Sequence, residues 1–202
     1  AGDALVAAQV AIAVVLLAAA ALYTGHIADL RNLNLGFNRE NVVLMQVDGS
    51  RGHEKPRALE LIRRLESLPG VRSASIGGMS PIQGAGASRM VLIDGFSEAP
   101  DARRYTSLNW VTPRYFESLG IPLLEGRDFR FDDDGRPRVA VVSQSFARHY
   151  FPNRSAIGGH VRFEGKKSVY EIIGVVGDAK YLELKETPPR TMYMNTLQDQ
   201  NV

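Results

Sequence analysis

The sequence predicts an α+β protein, with an N-terminal transmembrane helix followed by an α/β domain. Three observations support this prediction. The first is an unbroken apolar run over residues 4–22. The second is a helical stripe of apolar residues between two β-rich runs, and the third is a series of short β-rich runs between residues 90 and 194.

The apolar run over residues 4–22 contains Gln9 as its only polar side chain. At a rise of about 1.5 Å per residue, it covers roughly 28 Å, which is close to the thickness of the hydrocarbon layer of a bilayer. Tyr23 and His26 come next and suit the headgroup layer. We therefore expect residues 1–28 to form a transmembrane helix in contact with membrane lipid, although charge alone does not orient it.

Two other interpretations of this run are weaker. A secretory signal peptide begins with basic residues and has a shorter apolar core, whereas this chain begins with Ala1, Gly2 and Asp3. A buried helix of a soluble protein rarely stays apolar on every face.

Composition limits the classes of protein that remain. The chain has 202 residues, of which 45% are hydrophobic and 23% are charged, so the part after the span has enough residues for one folded core. The net charge is +2, and the charges are interspersed, so we expect no nucleic-acid partner. The absence of cysteine excludes disulfides and thiolate metal sites, but it does not decide the compartment.

The first part of the domain has a β-α-β pattern. Gly36 breaks a continuation of the first helix, and residues 42–47 predict a strand. The next element is an amphipathic helix that ends at Pro69-Gly70, and residues 71–76 predict a second strand. If the two strands are parallel neighbours, the crossover is right-handed. The helical stripe consists of Ala58, Leu61, Ile62, Leu65 and Leu68.

Residues 77–88 contain four glycines and resemble a phosphate-binding loop in composition only. A P-loop requires Lys and then Ser or Thr after its last glycine, and a dinucleotide-binding loop requires a glycine where Arg89 stands. We interpret the segment as a flexible connection.

The middle of the domain predicts two strands and a short helix. The strands cover residues 90–93 and 105–111. Thr112 has the character of an N-cap with Pro113 at the first helical position, and Gly120 ends the helix. Gly126 is predicted to take a positive φ in a tight turn.

The acidic segment of residues 132–135 resembles the start of a calcium-binding loop, but the match does not extend to the later ligand positions. Its fifth position is Arg136 and its twelfth is Ser143, neither of which supplies the expected ligand. A solvated turn is the better interpretation.

The last part of the chain predicts a strand over residues 139–142 and a helix that is capped by Ser143 and ends at Pro152. Residues 160–163 and 169–176 predict an antiparallel pair. Because residues 172–176 are apolar on both faces, the second of these strands is expected to be central. A final strand is predicted around residues 192–194.

The sequence offers no catalytic, cofactor-binding or metal-binding residue. Its four histidines, His26, His53, His149 and His160, are far apart and lack the spacing of a zinc site. No nucleophile elbow and no cysteine nucleophile is present. We assign no site residue and expect no cofactor.

A set of short motifs runs in order from about Leu5 to Met194. The motifs are residues 8–11, 34–37, 40–42, 68–71, 113–122, 126–129, 139–143, 150–152, 157–158, 173–178 and 188–193. Together they resemble the periplasmic core domain of MacB-like and FtsX-like ABC transporter permeases. Singly the motifs are weak, but their common order and spacing are specific. Residues 155–156 and 38–39 depart from the family pattern at surface turns.

The resemblance implies a non-catalytic permease subunit of the duplicated bacterial type, in the inner membrane, with a periplasmic core domain over residues 29–202. The domain would have two parts, a β-α-β body and a strand-rich subdomain inserted at about residues 79–170. The resemblance also implies that this chain is a fragment that ends inside its periplasmic domain, since such permeases continue with more of the domain and three further membrane helices.

The resemblance also implies partners. A cytoplasmic ABC ATPase would drive the membrane helices, and the permease halves would form a dimer or pseudo-dimer. The extracytoplasmic domain would pass the motion on to export of a lipoprotein, peptide or drug, or to an envelope partner protein such as a cell-wall hydrolase. The alternatives are the sensor or ligand-binding domain of a membrane-anchored signalling protein and, less favoured, an envelope hydrolase.

Overall fold

The structure of the chain, a computed structural model, describes residues 2–31, 33, 35–38, 40–46, 55–79, 86–94, 96, 105–181 and 187–198. It divides into two compact units, residues 1–34 and residues 35–202.

The first unit contains one long helix, α1 (Gly2–Arg31), which includes the predicted apolar run. Within the described residues, Gly2–Ile27 is the segment long and apolar enough to cross a membrane, and none of its most apolar window is buried. Apolar side chains on all faces exclude a helix that buries one stripe against a core. The predicted helix is therefore confirmed.

The second unit is built on one seven-stranded sheet in the order β3-β6-β4-β7-β2-β1-β5. Because β5 also pairs with β6, six of the strands form a closed ring, and β3 adds to β6 outside it. The strands are β1 (Ala87–Ile93), β2 (Tyr105–Val111), β3 (Leu123–Gly126), β4 (Val139–Ser143), β5 (His160–Phe163), β6 (Val169–Val176) and β7 (Thr191–Asn195).

Strand β6 lies in the interior of the sheet and is paired along both edges, as predicted from its two apolar faces. It pairs in parallel with β4 and antiparallel with both β5 and β3. The predicted hairpin is confirmed by the antiparallel register of His160 with Glu171. Strands β2 and β7 form the second parallel pair, with Ser107 opposite Thr191.

The sheet buries apolar side chains on both faces. All five residues of β4 are buried, and successive residues alternate between two clusters. Ala140 and Val142 belong to the first cluster with Phe146 and Tyr150 of helix α4 (Gln144–Tyr150). The second cluster packs beneath helix α3 (Tyr115–Leu119).

Helix α4 begins and ends where the sequence predicts, after Ser143 and before Pro152. The Ser143 hydroxyl accepts a hydrogen bond of 3.3 Å from the Phe146 N–H, so the predicted N-cap is confirmed. The helix ends at Tyr150, two residues before Pro152, which lacks the N–H that would continue it.

The two strands predicted on either side of the amphipathic helix are not strands. Helix α2 (Lys55–Glu66) is present, but residues 42–46 and 71–76 lie outside the sheet, and residue 47 is outside the described part. Val43 is 82% exposed. β-branched composition favours an extended backbone, but a strand also requires a partner. Among residues 71–79, only Gly77 forms a bridge, with Val111.

The predicted cap at Thr112 is also wrong. Helix α3 begins at Tyr115, and its N-cap residue is Arg114, which has a φ of 68° and makes no side-chain capping bond. The Thr112 hydroxyl instead accepts a 2.9 Å hydrogen bond from the Ile76 N–H. The hydroxyl group therefore serves a remote segment and not its own helix.

The glycine-rich connection is partly held in place. Residues 80–85 are outside the described part, but Met79 is buried, and its N–H donates a 2.9 Å hydrogen bond to the Asn109 side chain. At the other end of the connection, β1 begins at Ala87, earlier than predicted. The interpretation as a flexible connection is therefore wrong for Gly77–Met79.

The acidic turn is only partly solvated. Asp132 and Asp134 are exposed, but Asp133 is 2% exposed and accepts two hydrogen bonds from the Arg127 guanidinium. The interpretation as a solvated turn is therefore wrong for Asp133, because an ionised side chain with a matching partner can be buried.

Candidate functional site

The most informative site in the second unit is where its first residues join the folded body. We call residues 35–38 the junction segment. The Lys180 N–H donates a 3.0 Å hydrogen bond to the Leu35 carbonyl, and the Asn38 N–H donates one of 2.7 Å to the Leu119 carbonyl. Leu35 is 3% exposed. Backbone bonds at both ends hold the segment between α3 and residues 178–180.

Gly36 makes this contact possible. Its φ is +79°, a region that favours glycine, and a Cβ atom at this position would overlap the Asp178 carbonyl. Phe37 and Val42 pack against the second core cluster. The backbone of the junction segment thus lies directly against the backbone of residues 178–179, and no larger residue fits between them.

The contact continues from Asp178 into α4 and β7. The Asp178 carboxylate accepts a 2.7 Å hydrogen bond from the Ser145 N–H in the first turn of α4. The Ser143 hydroxyl, which caps the same helix, also accepts a 3.0 Å hydrogen bond from the Thr191 N–H at the start of β7. The junction segment is therefore connected to α4 and to β7 through the close contact of Gly36 with Asp178 and these hydrogen bonds.

A buried network of hydroxyl groups lies in the second core cluster. The hydroxyl oxygens of Tyr181 and Tyr193 are 3.0 Å apart, and those of Tyr115 and Tyr181 are 3.3 Å apart. The Tyr115 hydroxyl and the Asn109 amide each donate a 3.2 Å hydrogen bond to the Met79 carbonyl. These bonds join α3, β2, β7 and the segment before β1.

The hydroxyl network consists of neutral phenols. Burial raises the pKa of Tyr115, Tyr181 and Tyr193, and the neighbouring phenols raise it further. All three groups therefore stay protonated at physiological pH. They can donate and accept hydrogen bonds, but they do not act as bases.

An open groove of about 620 Å³ lies beside the C-terminal end of α4. Its polar rim includes a 3.0 Å hydrogen bond from the Ser155 hydroxyl to the Glu125 carboxylate. The Arg154 guanidinium stacks 4.9 Å from the centre of the Phe151 ring. This groove has no converging set of reactive side chains among the residues that line it.

The sequence predicts no catalytic, cofactor-binding or metal-binding residue. This expected absence stays a prediction. Among the described residues, no group of three or more His, Asp or Glu side chains is placed to hold a metal ion. His53 lies outside the described part.

The junction site is not evident from the sequence. The position of Gly36 predicts the end of a helix, but nothing in the sequence pairs Gly36 with Asp178. Both residues belong to motifs that carry the family resemblance, within residues 34–37 and 173–178. The structure brings these two motifs into contact, which gives a physical reason for the glycine in the first motif.

Comparison with known proteins identifies the family. The profile of the MacB-like periplasmic core domain matches residues 4–200. No curated protein matches the chain significantly.

Two solved structures show partial similarity. The periplasmic region of MacB from Actinobacillus actinomycetemcomitans is 21% identical, with a TM-score of 0.47, over 68% of this chain and 54% of that one. The extracellular domain of the noncanonic ABC-type transporter YknZ from Gram-positive bacteria is 21% identical, with a TM-score of 0.43, over 67% of this chain and 60% of that one. The chain thus spans little more than half the length of these structures. On the match over residues 4–200, the chain belongs to the family of MacB-like periplasmic core domains.

Proposed function

We propose that the chain is part of a permease subunit of an ABC transporter or mechanotransmission complex. Helix α1 would anchor it in the bacterial inner membrane, and the residues from about 29 onward would lie in the periplasm. The observation that carries the proposal is the family match over residues 4–200, which includes the apolar helix as well as the sheet domain.

In this proposal the domain passes on motion and performs no catalysis. A cytoplasmic ABC ATPase would hydrolyse ATP and move the membrane helices, in a dimer or pseudo-dimer of permease halves. The extracytoplasmic domain would transmit that motion to export or to an envelope partner protein. A rigid body on a membrane helix can transmit displacement without chemistry of its own.

The junction segment supports this role. It is held by backbone hydrogen bonds to α3 and to residue 180, and Gly36 allows close contact with Asp178. A displacement delivered to the junction segment would reach α4 and the sheet through short contacts.

We also propose that residues 29–202 form one core domain in which residues 79–170 are a strand-rich insertion. Strands β1 to β5 fall within these limits, which supports the proposal. Strands β6 and β7 would then join the insertion to the rest of the domain.

A direct test starts with membrane association and partner capture. The full-length protein should fractionate with membranes, resist alkaline extraction and copurify with an ABC ATPase. Recovery from membranes together with a histidine kinase or another signalling protein, and without an ATPase, would favour the sensor alternative.

The junction can be tested with a matched pair of glycine substitutions. Gly36→Ala should lower the transport or envelope activity obtained per ATP hydrolysed, because a Cβ atom would push the segment away from Asp178. Gly70 has a similar φ of +86°, but a Cβ atom there would meet no other atom within 4 Å, so Gly70→Ala controls for backbone strain alone. Equal effects of the two variants would contradict a coupling role for the junction.

A further inference from the structure

Helix α2 and the segment after it lie outside the two core clusters and make several polar contacts with the body. We call residues 55–76 the α2 lobe. Neither of the two core clusters contains a described residue from these positions. Ile62 is buried, but Leu68 is 52% exposed and Val71 is 38% exposed. The lobe therefore lacks the shared apolar core that holds the strands together.

Arg114 makes the main charged contact with the lobe. One of its Nη atoms lies 2.6 Å from the Glu66 carboxylate at the end of α2, and the other donates a 3.0 Å hydrogen bond to the Arg72 carbonyl. The same guanidinium is paired with Glu117 of α3, at 3.0 Å and 3.1 Å. One side chain thus joins the lobe to α3.

The backbone of Arg114 is strained. Its φ is 68°, in the left-handed region that is uncommon for residues other than glycine. Strain of this kind persists only where the surrounding contacts stabilise it, and it is concentrated at functional and switching positions. Here the surrounding contacts include two hydrogen bonds that the Arg114 carbonyl accepts from the Ser118 N–H and hydroxyl, each 2.9 Å long, and the ion pairs with Glu66 and Glu117.

Thr112 and Ser118, which are close to Arg114 in the chain, make two further sets of contacts between the lobe and the body. The backbone N–H and the hydroxyl of Thr112 pair with the backbone of Ile76, each at 2.9 Å. The Ser118 hydroxyl donates a 3.1 Å hydrogen bond to the Ser73 hydroxyl. Residues 112–118 thus provide a row of polar contacts along residues 72–76.

The last residue of α3, Leu119, holds the junction segment through its carbonyl. This five-residue helix therefore contacts the α2 lobe through Ser118 and the preceding Arg114, and the junction segment through Leu119. A small movement of α3 would change both contacts together.

We propose that Arg114 is a releasable latch, which holds the α2 lobe on the body through Glu66 and Arg72 and lets the lobe separate while the sheet stays intact. Exposed and half-exposed ion pairs are weak and screened by salt, whereas the apolar clusters of the sheet are not. The latch is a property of this fold and stands independently of any transport role.

The experiment compares two carboxylate partners of the same arginine. Glu66→Gln removes the charge that faces Arg114 from the lobe, and Glu117→Gln removes the one within α3. Both variants and the wild type, as the full chain in a nonionic detergent, are examined by amide hydrogen exchange at about 0.05 M and about 1 M NaCl. Exchange in β4 and β6 reports whether the sheet remains intact.

Glu66→Gln should accelerate exchange in residues 58–66 and 71–76 by about threefold at low salt, since a released twelve-residue helix is marginally stable. Glu117→Gln should accelerate exchange in the lobe less than Glu66→Gln does, because Arg114 keeps both of its bonds to the lobe. High salt should bring the wild type close to Glu66→Gln, with no change in β4 or β6. Equal rates in the two variants, or no effect of salt on the lobe, would overturn the proposal.

Arg114→Gly separates the ion pairs from the backbone strain. Glycine relieves the strained φ but removes both contacts with the lobe, so the latch proposal requires faster exchange in residues 58–66. Slower exchange in this variant would show that strain, and not the ion pairs, governs the lobe, and it would also overturn the proposal.

Discussion

The Arg127 guanidinium lies against the Asp133 carboxylate through two hydrogen bonds, each 2.9 Å long. Asp133 is 2% exposed, and it also accepts a 2.8 Å hydrogen bond from the Arg130 N–H. Burial alone would raise the pKa of Asp133, but the bonds from Arg127 and Arg130 outweigh burial and hold this pKa below its ordinary value. The pair therefore stabilises the folded state only while Asp133 is ionised.

Asp133→Asn should lower the free energy of unfolding at pH 7 by about 1–3 kcal/mol, because Arg127 loses a charged partner at a buried position. With a lowered pKa in the folded state, the stabilisation is present above the unfolded carboxylate pKa of about 3.9 and is lost as the pH falls through the folded value. Urea unfolding at pH 7 and at about pH 3 should show the gap between variant and wild type closing in acid.

Asp132→Asn is the control for this pair. Asp132 is bonded to Arg136 at 3.0 Å, but both side chains are 62% exposed. Its substitution should change stability little at either pH. An equal loss in the two variants would show that the buried geometry of Asp133 has no special effect.

Gly126 should tolerate no side chain. Its φ is +73°, as the predicted positive φ requires, and a Cβ atom would overlap the Ile173 carbonyl, because Gly126 ends β3 opposite Gly174. Gly126→Val should destabilise the domain by a few kcal/mol, about 1–2 of which come from the left-handed conformation. Thermal unfolding of the variant measures this loss.

Gly165 provides a matched control, since its φ is also +73° but no atom lies within 4 Å of a Cβ position. Comparison of Gly126→Ala with Gly165→Ala isolates the effect of the overlap from that of the backbone conformation. If the two variants unfold at the same temperature, the close approach to Ile173 does not affect stability.

Tyr181→Phe should remove the middle hydroxyl of the buried network and cost about 1–2 kcal/mol, because the hydroxyls of Tyr115 and Tyr193 each lose a partner. Chemical denaturation measures the difference. Tyr105→Phe is a suitable comparison, since Tyr105 is 51% exposed and should be nearly neutral.

Alkaline titration tests the same network. Because the pKa values of Tyr115, Tyr181 and Tyr193 are raised in the folded state, the unfolded chain loses protons first above about pH 10, and stability falls as the pH rises further. Tyrosinate absorbance should show that Tyr115, Tyr181 and Tyr193 ionise only as the protein unfolds. Ionisation of these three tyrosines before unfolding would contradict their burial.

Ser143→Ala should destabilise the domain by about 1–2 kcal/mol, which is the usual loss for an N-cap and here includes a second bond. The hydroxyl accepts from the Phe146 N–H at 3.3 Å and from the Thr191 N–H at 3.0 Å, so it joins α4 to β7. Thermal unfolding measures the loss. Ser67→Ala, at an exposed position after α2, should have little effect.

The sequence predicted elements whose cause is local. Residues 4–22 are apolar on every face, which is sufficient for the long helix α1. Ser143 and Pro152 bound helix α4, and the hairpin of β5 and β6 forms between neighbours in the chain. These elements depend on residues a few positions apart, so that spacing and composition predict them.

The tertiary structure alone decided which extended segments join the sheet and which polar groups find remote partners. Residues 42–46 and 71–76 have β-rich composition but remain outside the sheet, and Thr112 bonds with Ile76 instead of capping α3. The contact of Gly36 with Asp178 joins segments far apart in the chain. Strand pairing and burial depend on which distant atoms come within reach, whereas helix formation and capping depend on neighbours in the chain.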